Sequence, residues 1–74
     1  MQNRKEIFSK RIKQVREQAG LSQDDLAQKL NITRGTIGHW ENQRREPDIQ
    51  MLCDLADALG ADVDFLLGRK DSPT

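Results

Sequence analysis

Residues 22–42, SQDDLAQKLNITRGTIGHWEN, decide how this chain folds. Ser22 is a good helix N-cap, and Asp25 three residues later suits the first turn. Leu26, Ala27 and Leu30 share one helical face, so the spacing predicts a short helix over Gln23 to Leu30. Asn31 then takes the turn, because asparagine tolerates the left-handed backbone better than any residue but glycine. Ile32 is apolar and Thr33 caps a second short helix, Arg34 to Asn42, with Ile37 and Trp40 facing inward. Two such helices joined by a tight turn make a helix-turn-helix. Ala27 is small where the helices cross, and Leu26, Leu30, Ile32, Ile37 and Trp40 are their shared core. The spacing of Trp40 from Ile37 makes it a core residue rather than a stacking platform.

On the N-terminal side, Asn3 and Glu6 read as a capping box. Phe8, Ile12 and Val15 follow at helical spacing, so a first helix runs from Arg4 to Gln18 and stops at Gly20, with Leu21 folding back onto it. On the other side, the polar stretch Gln43 to Glu46 ends at Pro47, and Asp48 caps a fourth helix. Ile49, Leu52, Leu55, Ala56 and Leu59 give that helix an apolar stripe, and Gly60 ends it. Asp62 caps a last short helix, Val63 to Leu67, whose Phe65 and Leu66 close the core. Residues 1–68 thus read as one compact, all-α, five-helix domain, and residues 69–74 as a flexible tail.

Composition bounds the function. Seventy-four residues, 35% of them hydrophobic, make one domain near the lower size limit for a self-supporting core. The lone Cys53 excludes an internal disulfide, fits a reducing cytoplasm and reads as a core or semi-buried residue. No apolar run approaches the ~20 residues of a membrane span, and the opening MQNRKEIFSKR lacks a signal peptide's apolar stretch. One histidine and one cysteine offer no convergent catalytic or metal-binding cluster. An enzyme is therefore disfavoured, and no cofactor or small-molecule ligand is implied. Net charge is zero, yet residues 1–20 hold six basic against two acidic side chains, and residues 48–74 six acidic against two basic. A chain polarised in this way can meet a polyanion with one face and repel it with the other.

The outward face of the second motif helix carries Arg34, Gly35, Thr36, Gly38, His39 and Asn42. Short polar side chains on a helix braced from behind suit the major groove of DNA. Each glycine costs the helix roughly 1 kcal/mol relative to alanine, and close approach of a nucleic acid accounts for that cost. Arg34, at the end that enters most deeply, can read guanine N7 and O6. Thr36 can touch a phosphate or a thymine methyl, and His39 a base edge or phosphate. Asn42, Arg44 and Arg45 follow the helix and suit phosphates.

Over residues 8–68 the chain resembles the lambda-repressor-like helix-turn-helix domain of the Cro/CI or XRE type. The stretches that carry the resemblance are IKQVREQAGLSQDDLAQKL, NITRGTIGHWEN and REPDIQMLCDLADALGADVDFLLG. The resemblance implies a five-helix domain that binds a double-stranded, pseudo-palindromic operator as a homodimer and regulates transcription, mostly by repression. It implies that Gln23 contacts a backbone phosphate and braces its neighbours, that Thr33 and the second motif helix face the DNA, and that Arg16 pairs with Glu41. It places the dimer surface near Ala61 to Leu67. Gln43 stands where the family usually has glycine. The alternative is an antitoxin or protein-binding adaptor of the same fold. Against it stands the set Gln23, Arg34, His39, Arg44 and Arg45, which an adaptor does not need. The chain reads as a compact regulator in its own right or as the front of a larger repressor.

Overall fold

The computed structural model describes residues 3–74. Its helices are α1 (Arg4–Gln18), α2 (Gln23–Leu30), α3 (Arg34–Glu41), α4 (Ile49–Leu59) and α5 (Val63–Leu66), and no strand occurs among the described residues. Each helix contributes one fully buried aliphatic side chain: Ile12, Leu26, Ile37, Leu55 and Leu66. Phe8, Val15, Trp40, Leu59 and Phe65 fill the space around them. Trp40 is 3% exposed, which settles its place in the core, and Ala27 is 1% exposed at the α2–α3 crossing. Leu30 and Ile32 are half-buried at the edge of the same cluster.

Local chemistry sets where the helices begin and end. The side chains of Asn3 and Asp48 accept from the N–H groups of Glu6 (2.9 Å) and Met51 (2.8 Å). Ser22 and Asp25 form a full capping box, each side chain accepting from the other's backbone N–H at 2.9 Å. These bonds hold the Asp25 carboxyl below its ordinary pKa, first through the backbone N–H of Ser22 and then through its hydroxyl. Gly20 (φ 74°), Asn31 (φ 56°) and Gly60 (φ 65°) take the left-handed conformation after α1, α2 and α4. There the N–H groups of Leu21, Ile32 and Ala61 turn back to the carbonyls of Arg16, Ala27 and Ala56, each at 3.0 Å.

Several expectations need correction. Ile49 does not join the α4 stripe but is 83% exposed, as the first residue of the helix. Cys53 is exposed rather than semi-buried, one helical turn further along that side. α3 ends at Glu41 and α5 at Leu66, one residue short in each case. Neither Thr33 nor Asp62 caps with its side chain. The Thr33 hydroxyl instead meets that of Thr36 at 2.9 Å, and the Asp62 carboxylate accepts from Lys70 Nζ at 2.5 Å.

The tail expected to be loose has partners. Asp62 N–H donates to the Pro73 carbonyl (2.8 Å) and Arg69 N–H to that of Asp64 (2.7 Å). Arg11 donates to the carbonyls of Phe65 (2.6 Å) and Lys70 (2.8 Å) and lies 4.2 Å above the Phe65 ring. Arg4 reaches the Leu67 carbonyl at 2.9 Å. Two of the α1 cations therefore bond carbonyls at and just beyond the end of α5, where a positive charge is favourable. The basic front half is in part internal glue, and less of it is left for a polyanion than the charge count implies.

Candidate nucleic-acid interface

The two sides of α3 differ sharply. Ile37 and Trp40 are buried against the other helices, while Arg34 and Gly35 are exposed and Thr36, Gly38 and His39 half-exposed. Asn42, Gln43, Arg44 and Arg45 continue this outer surface and are all exposed. A groove of about 500 Å³ runs along it, bringing together Thr33, Gly35, Thr36, His39 and Arg45. Glu46, Pro47, Asp48 and Met51 form its far wall. Arg34, Arg44 and Arg45 take part in none of the ion pairs formed among the described residues. Their charges face solvent uncompensated at close range, as a site for a polyanion requires. Glu46, in contrast, lies 3.9 Å from Lys5.

Nothing inside the molecule asks for glycine in α3. A Cβ added at Gly35 or Gly38 would have no atom within 4 Å. Alanine would fit at both positions and stabilise the helix. The cost of the two glycines is therefore not repaid by internal packing.

Behind the outer face, Arg16 of α1 grips Glu41, the last residue of α3, with two bonds: Nε to Oε2 at 2.7 Å and Nη2 to Oε1 at 3.1 Å. Its Nη1 donates to the Leu21 carbonyl at 2.8 Å. The Arg16 and Glu41 side chains are only 9% and 4% exposed. The hydrogen bond that Arg16 donates to Glu41 raises the Arg16 pKa, against the opposing effect of burial. Gln23, at the start of α2, donates its Nε2 to Glu41 Oε1 at 3.1 Å. Its side-chain oxygen and second N–H are left over. One carboxylate thus joins α1, α2 and α3, and a glutamine with spare polar valence sits where that junction meets the surface.

Thr33, Gly35, Thr36, His39 and Arg45 thus share the groove and Arg16, Gln23 and Glu41 the junction, while Arg34, Asn42 and Arg44 lie exposed outside both. Three features were missed in the sequence: the Thr33–Thr36 hydroxyl pair, the acidic groove wall of Glu46 and Asp48, and the link from Gln23 to Glu41. The hydroxyl pair had a local signal in the spacing of two threonines three apart. The other two depend on how separate helices are placed.

Comparison with known proteins agrees with this architecture. The helix-turn-helix family HTH_3 matches residues 12–66. The chain is similar to the HTH-type transcriptional regulator ImmR of Bacillus subtilis, 36% identical over 64 residues, covering 86% of this chain and 50% of that protein. It is also similar to the immunity repressor protein of Bacillus phage phi105, 35% identical over 60 residues, covering 81% and 42%. The crystal structure of a hypothetical transcription factor, NHTF, from Neisseria superposes with a TM-score of 0.82 at 23% identity, over 88% of this chain and 75% of that one. The chain spans about half the length of the curated relatives it matches.

Proposed function

The chain belongs to the helix-turn-helix family HTH_3, and from that premise we propose that it is a sequence-specific DNA-binding transcriptional regulator. It docks α3 in the major groove of a pseudo-palindromic operator, as a homodimer, and represses by occupying the site rather than by any chemistry. The observation that carries this reading is the two-sided character of α3. Its inner side is locked into the core, while its outer side offers unpaired Arg34 beside two glycines with open space above them, and exposed, unpaired Arg44 and Arg45 follow it.

The roles divide by position. Arg34, at the end of α3 that enters most deeply, reads a guanine, and Thr36 and His39 touch bases or phosphates beside it. Gly35 and Gly38 let the helix backbone approach closely. Gln23, Thr33, Asn42, Arg44 and Arg45 grip phosphates on either side, fixing register without reading sequence. The spare N–H of Gln23 supports its part in this. The molecule measures 30 × 25 × 22 Å. A domain of that size leaves room for a second copy at the next major groove on one DNA face, ~34 Å away. The ImmR and phi105 relatives, named as a transcriptional regulator and an immunity repressor, support the regulatory and repressive parts. The cytoplasm is the compartment where such a regulator acts.

Selection of bound sequences from random double-stranded DNA tests the reading. An enriched inverted repeat with half-sites about one helical turn apart is expected. Recovery of no motif would instead favour an adaptor or antitoxin.

A further inference from the structure

One residue on the same surface breaks a local rule in the opposite sense to the glycines. Gln43 follows α3 with φ 63°, in the left-handed region. The turn demands it: Arg44 N–H reaches back to the His39 carbonyl at 2.8 Å and Gln43 N–H to that of Trp40 at 3.3 Å. The same kind of turn ends α1 and α4, and there the left-handed residue is Gly20 or Gly60. After α2 it is Asn31, whose short side chain suits that backbone. Glutamine has no such aptitude, and glycine would relieve the strain. Gln43 is exposed, so core packing does not account for its side chain. Around α3, then, glycine stands where a side chain would stabilise the fold, and a long side chain stands where glycine would. Strain that is kept on a functional surface points to use of the group that causes it.

We infer that Gln43 is a DNA-contact residue whose side-chain amide donates to a phosphate of the operator backbone. The inference rests on the DNA-binding reading above. A phosphate suits the position, because Gln43 lies at the end of α3 away from the deep-entering N-terminus, beside exposed Arg44 and Arg45. An amide offers two N–H donors and reach without charge, so it orients the backbone while the arginines supply attraction.

The test compares Gln43→Gly, Gln43→Ala and Gln43→Lys with the parent chain, by thermal melting and by affinity for the selected operator at several salt concentrations. Gln43→Gly is expected to melt higher and to bind about tenfold more weakly, with unchanged base preference. Gln43→Ala keeps the strain and loses the amide, so it binds more weakly without melting higher. Gln43→Lys recovers affinity with a steeper salt dependence. Gln43→Gly binding as tightly as a DNA-binding parent overturns the role of Gln43 alone. A parent that binds no DNA overturns the DNA-binding reading itself.

Discussion

Single side chains carry the sharpest consequences. Glu41 is nearly buried and accepts from Arg16 and Gln23. Removing it leaves the Arg16 guanidinium buried without its counter-charge, a change that costs about 3–5 kcal/mol for a buried pair. Asp24 is exposed and meets only Gln28, at 3.5 Å. Glu41→Ala is therefore expected to lower the melting temperature far more than Asp24→Ala, and equal melting of the two variants would remove the strut. Arg34 has a different signature. Because it makes no internal ion pair, Arg34→Ala should leave melting unchanged while costing about 1–3 kcal/mol of operator affinity and relaxing preference at one base pair. Uniform weakening on all sequences would instead class Arg34 as a phosphate contact.

At the scale of elements, helix ends and helix interiors were legible to different degrees. The starts of α1, α2 and α4 follow from side-chain caps that act over three positions, whereas Thr33 and Asp62 precede α3 and α5 without capping them. The capping box of α2 yields a test in acid. Its bonds depress the Asp25 pKa in the folded state, so the stability they contribute is present above the ordinary carboxylate value and is lost as pH falls through the lower, folded one. Asp25→Asn should melt lower than the parent near neutral pH, and the two curves should converge in strong acid. A gap that persists there would mean the carboxylate charge is not what stabilises α2. The α3 glycines yield another. Gly38→Ala should stabilise the fold by roughly 1 kcal/mol, since a Cβ meets nothing, and weaken DNA binding at the same time. Gain in both would mean that close approach is not what the glycine serves. Ile49 and Cys53 were misread for a geometric reason. Periodicity identifies a stripe on α4, but only the packed positions of α2 and α5 decide how far that stripe is covered.

For the whole molecule, what sequence conceals is contact between distant segments. Arg4 and Arg11 lie 63 and 54 residues from the carbonyls they bond at and just beyond the end of α5. A charge count could only assign them to the surface. The Gln23–Glu41 bond, 18 residues apart, is hidden for the same reason, whereas the outward face of α3 could be read because one helix's periodicity contains it. Arg11 ties α1, α5 and the tail together, so Arg11→Ala should lower the melting temperature and speed amide exchange at Asp62 and Arg69, the N–H groups that pin the tail region. Unchanged exchange at those two amides would mean the tail is held independently of Arg11. The three-helix junction at Glu41 reaches further still. With the end of α3 fastened to α1 and α2, the angle at which α3 projects is set before any partner arrives. For the proposed operator complex, association becomes a nearly rigid-body encounter with little backbone ordering left to pay for. Differences between good and poor operators should then appear in how long the complex lasts rather than in how fast it forms.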